Sequence, residues 1–141
     1  MGNDPSISAG AAAFPAACPF CEIASEKIWL GNEHALALPD VYPLSPGHTL
    51  VIPRLHVVGL FELSAEAQRS VWELVATVRA RLLEKFHPDG FNIGLNDGQA
   101  AGQTLPHAHV HVIPRYQGDV PDPRGGVRWI IPKRAAYWRQ E

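Results

Sequence analysis

The sequence predicts an α+β fold, an antiparallel β-sheet with one long helix and shorter helices packed on it. Three observations carry this. Residues 64–86 hold the one long apolar repeat of helical period. Apolar runs of strand length recur at residues 28–30, 34–38, 48–52, 91–95 and 107–112, divided by turns rich in Gly, Pro and Asn. No regular helical crossover separates successive runs, so the strands pair mainly antiparallel and the helices pack on the sheet.

Composition bounds the function. A chain of 141 residues is one domain, long enough to bury a core without disulfide staples. Hydrophobic residues make up 46% and charged residues 18%, an ordinary globular balance. The net charge of −2 favours neither a nucleic-acid backbone nor an anionic membrane as partner. No apolar run approaches the ~20 residues of a transmembrane helix. Residues 1–17 are rich in Ala, Gly, Ser and Pro, carry no Lys or Arg for a secretory n-region, and read as a flexible tail before a single domain over residues 18–141. Two neighbouring cysteines do not make an extracellular disulfide framework, so a cytoplasmic setting is expected.

Cys18-Pro-Phe-Cys21 has the spacing of a metal site or a redox dithiol. The redox form follows a core strand, and nothing before Cys18 can be one. Zinc is therefore favoured, although two thiolates cannot close a tetrahedral site and the other ligands must come from far along the chain, histidine being the obvious supplier. Two unliganded thiols are the other reading. Residues 22–27 suit a short helix. Residues 28–30 and 34–38 form a strand pair turning at Gly31-Asn32. A proline-punctuated loop, residues 39–47, then leads to the strand at 48–52, with Asp40 and His48 bracketing the loop. Pro53-Arg-Leu-His56 ends that strand.

Ser64 suits the N-cap of the long helix and Glu66 its first turn. Val71, Leu74, Val75, Val78, Leu82 and Phe86 make its core stripe, and Trp72 flanks it. His87-Pro-Asp-Gly90 stops the helix. After the strand at 91–95, Asn96 and the loop to Thr104 offer backbone N–H groups and neutral side-chain donors suited to phosphate oxygens. Next come His107, His109 and His111, alternating with Ala108, Val110 and Val112. In a strand this places the imidazoles on one face and the small apolar groups on the other, with Pro106 and Pro114 marking its ends. Residues 127–131 suit an edge strand, and Tyr137-Trp138 suit a docking point for the tail.

His-x-His-x-His followed by two apolar residues resembles the signature of the histidine triad (HIT) proteins, which bind nucleotides and hydrolyse nucleoside phosphate derivatives. Gly102-Gln103-Thr104 and Pro114-Arg115 carry the resemblance further. It runs from about Cys18 to the histidine strand and loosens after Tyr116. The resemblance implies a HIT-like fold, paired as a homodimer. It implies that Asp40 holds ribose hydroxyls, that His48 lies near the triad, and that Asn96, Gln103 and Thr104 make polar nucleotide contacts. Zinc-bearing relatives complete the Cys18/Cys21 site with residues placed like His56 and His107.

Neutral imidazole is nucleophilic near physiological pH, and a row of imidazoles can both attack phosphorus and stabilise the charge that builds on its oxygens. His109, with an imidazole on each side, is best placed to attack, and it matches the HIT nucleophile. His111 and His48 then contact phosphate or the leaving group, and His107 is the one diverted to structure or metal. Histidine rather than glutamine at the third triad position, His111, resembles the hydrolases of the family. The expected reaction is hydrolysis at the α-phosphate of dinucleoside polyphosphates or nucleoside phosphoramidates through a nucleotidyl-His109 intermediate, with no catalytic metal required. The alternatives are a nucleotidyltransferase or phosphorylase, and a nucleotide-binding module with little turnover.

Overall fold

In the computed structural model, which describes residues 18–139, the helical repeat folds as α1, Ala65–Phe86. The expected tail, residues 1–17, lies outside the described residues. The Ser64 side chain accepts from the Ala67 N–H at 3.1 Å, and the helix ends where His87 turns left-handed at φ 52° ahead of Pro88. Val71, Leu74, Val75, Val78 and Leu82 are buried along one side.

That stripe packs on a sheet of five strands: β1 Leu30–Gly31, β2 Ala35–Pro39, β3 Thr49–Pro53, β4 Gly90–Gly94 and β5 Val110–Arg115. Their order is β1-β2-β3-β5-β4 and every neighbouring pair is antiparallel. Alternation gives the sheet two apolar faces. Ala35, Ala37, Val51, Val110 and Val112 meet α1, and Ala108 joins them from just outside the sheet. Leu38, Leu50 and Ile52 point the other way and are covered by Phe20, Ile23 and Leu36. No described helix is long and apolar enough to cross a membrane.

Several expected boundaries move. Residues 22–27 give only a short 3₁₀ turn, Ser25–Lys27, which has no side-chain cap. The hairpin turns after Gly31 rather than on it, because the Asn32 side chain accepts from the Ala35 N–H at 2.9 Å and from the His34 N–H at 3.2 Å.

The largest shift is in the histidine strand, which starts at Val110 and continues through Pro114 to Arg115. Pro114 therefore does not end it. The Arg115 carbonyl accepts from the Asp89 N–H on the β4 side, so the Pro114 backbone faces the opposite side. There β3 has already stopped pairing, at Thr49↔Val112, and the missing N–H costs nothing. The Pro114 carbonyl takes the Ser45 hydroxyl at 2.6 Å.

Residues 127–131 are not an edge strand. Gly125 and Gly126 both have positive φ and start a 3₁₀ helix, Gly126–Ile130, and Pro132 then opens α2, Pro132–Ala135. Trp138 docks beneath the Arg124 guanidinium, 4.6 Å from the ring centroid, while Tyr137 stays exposed.

Asn32 ties the hairpin to α1. Besides its two turn bonds it donates to the Ser70 carbonyl at 2.7 Å and accepts the Ser70 hydroxyl at 2.8 Å. Asn32→Ala strands these partners and is expected to lower unfolding free energy by about 2 kcal/mol, measured by urea denaturation. An unchanged midpoint contradicts this role.

Candidate active site and metal centre

The segment before β5 is held by backbone bonds that no sequence pattern announces. The Ala108 N–H donates to the Val57 carbonyl at 2.8 Å, and His107 Nε2 reaches the Pro53 carbonyl at 2.9 Å. A carbonyl only accepts, so Nε2 carries the proton and Nδ1 is left with its lone pair. That atom points into a cluster with Cys18, Cys21 and His56. The Cys18-Pro-Phe-Cys21 turn closes through Cys21 N–H to the Cys18 carbonyl at 3.1 Å, which brings both sulfurs to one side.

The four donor atoms crowd to nearly the spacing of a tetrahedral metal site, the two shortest separations falling slightly inside it. Cys18 Sγ to His107 Nδ1 is 3.3 Å, Cys21 Sγ to His56 Nδ1 is 3.1 Å, Cys21 Sγ to His107 Nδ1 is 3.6 Å, and the two Nδ1 atoms are 3.1 Å apart. Bond lengths of about 2.3 Å to sulfur and 2.0–2.1 Å to nitrogen put tetrahedral donors roughly 3.3–3.8 Å apart. Two thiols and two imidazoles fit zinc, and the Pro53 carbonyl is the outer partner that such a histidine needs. Burial, then the neighbouring Cys18, pushes the Cys21 thiol up to about 11 in the metal-free cluster. Binding a metal must therefore expel protons.

The other two histidines of the row take a different environment. His109 Nδ1 lies 2.9 Å from the His107 carbonyl, so Nδ1 donates and Nε2 keeps a free lone pair. Phe20 stands edge-on to both His107 and His109, at 5.6 and 5.4 Å between centroids, and so touches both the sulfur cluster and the open site.

His111 is the one member inside β5, paired across from Leu50. Its Nδ1 lies 2.9 Å from His48 Nε2. The Leu44 N–H donates to His48 Nδ1 at 3.0 Å, so the proton of neutral His48 sits on Nε2 and His111 Nδ1 must accept it. His111 then carries its own proton on Nε2. Burial pulls both groups below the ordinary histidine range; for His111 the neighbouring His109 and His48 lower it further, and Asp40 partly offsets the shift in each.

Asp40 Oδ2 lies 3.3 Å from His48 Nε2 and 3.9 Å from His111 Nδ1, and its Oδ1 accepts from the Tyr42 N–H at 2.9 Å. The loop between Asp40 and His48 closes through Asp40 N–H to the His48 carbonyl. Gly47 is required in it: at φ 93° a Cβ would stand 3.0 Å from Phe86 and 3.1 Å from Leu82 and Pro114.

His109, His111, His48 and Asp40 line one cavity of about 760 Å³, with Asn96 and Thr104 among its polar residues and Phe20, Ile23 and Leu50 on its apolar side. Gln103 is placed differently. Its amide accepts from the Gly98 N–H and donates to the Val58 and Leu105 carbonyls, which braces the loop and leaves it outside the lining. Sequence reasoning missed Phe20, Ile23 and the Leu44 N–H. An aromatic between two cysteines carries no functional pattern, and a backbone donor carries none at all.

A family model described as the HIT domain matches residues 22–118. Protein hit of Bacillus subtilis (strain 168) is 37% identical over 108 residues, covering 72% of this chain and 74% of that protein. The crystal structure of a Zn-bound histidine triad family protein from Mycobacterium smegmatis matches with a TM-score of 0.67 and 36% identity, covering 76% of this chain and 85% of that one. A bis(5'-adenosyl)-triphosphatase of Saccharomyces cerevisiae (strain YJM789) is 29% identical over 96 residues, 67% of this chain and 47% of that protein. The chain belongs to the histidine triad family, with His107, His109 and His111 as the triad.

Proposed function

We propose that this protein hydrolyses nucleoside 5′-phosphate derivatives at the α-phosphorus, with His109 as nucleophile. The observation that carries the reading is the His109 tautomer: Nδ1–H is held by the His107 carbonyl at 2.9 Å, which leaves the Nε2 lone pair available in the cavity. Membership of a nucleotide-binding family and the likeness to a bis(5'-adenosyl)-triphosphatase support the substrate class.

The base lies against Phe20, Ile23 and Leu50, and Asp40 accepts from the ribose hydroxyls. Asn96, Thr104 and His111 surround the phosphate. Attack by Nε2 forms a nitrogen–phosphorus bond on His109. The leaving atom departs with its bonding pair, hydrogen-bonded by His111 Nε2–H, and is protonated by solvent. Water then adds to phosphorus, returns the bonding pair to Nε2 and releases its extra proton to solvent. His48 fixes the His111 proton on Nε2, and Gln103 acts through the loop it braces.

Cys18, Cys21, His56 and His107 hold a structural zinc ion in this reading. It ties the N-terminal turn to the triad, and its four protein ligands leave no coordination position for water. Two thiols kept for a metal suit a reducing, cytoplasmic compartment. The homodimer is part of the same proposal: β4 ends the sheet with one side unpaired, and Trp72 is partly exposed on α1.

His109→Ala is expected to lose nearly all turnover, more than 10³-fold, because it removes the nucleophile itself. Steady-state rates with adenosine 5′-phosphoramidate or diadenosine triphosphate test this, and near-wild-type turnover contradicts the mechanism.

The lowered His48 and His111 values set a second expectation. Both imidazoles stay neutral as pH falls through the ordinary value of about 6.5 and take up protons only below it. Their contribution to stability is present above that value and declines as pH drops towards the folded-state values. Nitrogen chemical shifts of the two rings against pH report it. Protonation at or above 6.5 is the contrary result.

A further inference from the structure

The loop that carries Leu44 has little packing to hold it. Residues 43–47 run between cavities of about 740, 760 and 780 Å³, and Leu44 lines all three. Val41, Tyr42 and Leu44 leave most of their side chains exposed. A segment with so few buried apolar contacts keeps its shape only through specific ties. Two hydroxyls supply them. The Ser45 hydroxyl donates to the Pro114 carbonyl at 2.6 Å, and the Tyr116 hydroxyl donates to the Pro46 carbonyl at 2.7 Å.

The post from which Tyr116 reaches is itself fixed. Its N–H donates to Asp119 Oδ2 at 3.1 Å and its carbonyl accepts the Asp119 N–H at 2.9 Å. Arg115 holds the same carboxylate through two nitrogens, at 2.7 and 2.8 Å. The two ties grip the loop right after Leu44, whose N–H orients His48, and the His48 N–H returns to the Ser45 carbonyl at 3.1 Å. Asp40 stands outside the gripped stretch, its N–H on the His48 carbonyl at 3.0 Å.

We infer that the Tyr116 and Ser45 hydroxyls are positioning groups for the reaction. By clamping residues 43–47 onto the end of β5 they keep the Leu44 N–H on His48 Nδ1, and so keep the His111 proton on Nε2, aimed at the leaving atom. The inference rests on the hydrolysis proposed above. Once the loop is released, either ring nitrogen of His48 can carry its proton, and His111 is no longer obliged to hold its own on Nε2. The nucleophile is untouched, because the His107 carbonyl orients His109 without help from this loop. What is lost is the hydrogen bond to the leaving atom. That bond matters most where the leaving atom concentrates negative charge. A p-methylphenolate oxygen does so, whereas p-nitrophenolate spreads its charge over the ring and nitro group.

The test compares kcat/KM for the p-methylphenyl and p-nitrophenyl esters of adenosine 5′-monophosphate, and records the ring nitrogen shifts of His48. Tyr116→Phe, which keeps the ring and removes only the hydroxyl, is expected to slow the p-methylphenyl ester by about tenfold or more. The p-nitrophenyl ester is expected to lose much less, and binding of adenosine 5′-monophosphate to stay near the wild-type value. Ser45→Ala is expected to act in the same sense, and Ser45→Thr, which retains a hydroxyl, to keep the wild-type ratio of the two esters. The His48 nitrogens are expected to move from the shifts of a single tautomer towards an average of two in Tyr116→Phe. Equal losses for both esters with His48 still in one tautomer assign the hydroxyls to stability alone and overturn the inference, as do unchanged rates in both variants. Wild-type protein that turns over neither ester overturns the hydrolase reading and the inference with it.

Discussion

The hydrogen bond from His107 Nε2–H to the Pro53 carbonyl, with Ala108 N–H on the Val57 carbonyl beside it, decides how the three histidines are used. Together they hold the chain against the segment that follows β3 and delay the start of β5 to Val110. His107 is turned into the sulfur cluster, and its own carbonyl is presented to His109 Nδ1. One residue therefore presents a ring nitrogen to the sulfur cluster through its side chain and sets the tautomer of the next imidazole through its backbone. The two carbonyls involved, those of Pro53 and His107, each accept one ring N–H, which satisfies groups that would otherwise be left unpaired.

The same economy of backbone donors governs the other end of the site. The Leu44 N–H fixes His48, and His48 fixes His111. Burial keeps both rings neutral, so their hydrogen bonds are directional and their tautomers defined. Asp40 adds a negative charge beside the pair, which opposes the loss of protons without overcoming burial. Rigid placement matters here because a donor stabilises developing charge only if it is aimed before the reaction begins.

Much of this was legible in the sequence. The helix stripe from Val71 to Leu82 and the Ser64 cap appear where the period places them, since propensity, capping and burial all agree at those residues. Alternation placed Ala108, Val110 and Val112 on the core side even though only part of the run is strand, and His107, buried as well, is buried in the sulfur cluster rather than against the helix. The Pro114 boundary was illegible: proline is tolerated in a strand whose neighbour has ended, and that depends on the register of β3. Residues 127–131 misled for a related reason. All but Arg128 are β-branched or aromatic, but the paired glycines before them and Pro132 after them impose a helical turn. The grouping of Cys18 and Cys21 with His56 and His107 could be named from resemblance, whereas the carbonyl that orients His107 belongs to the fold alone.

The central claim is that one row of histidines is divided between a metal centre and a phosphate site. Anomalous X-ray diffraction at the zinc edge, on crystals of the protein purified without chelator and grown with adenosine 5′-monophosphate, tests it in one experiment. The account predicts one zinc ion bonded to Cys18, Cys21, His56 and His107, with the phosphate beside His109 Nε2 and His111. Protein free of metal, with His107 Nδ1 turned onto the phosphate, contradicts it.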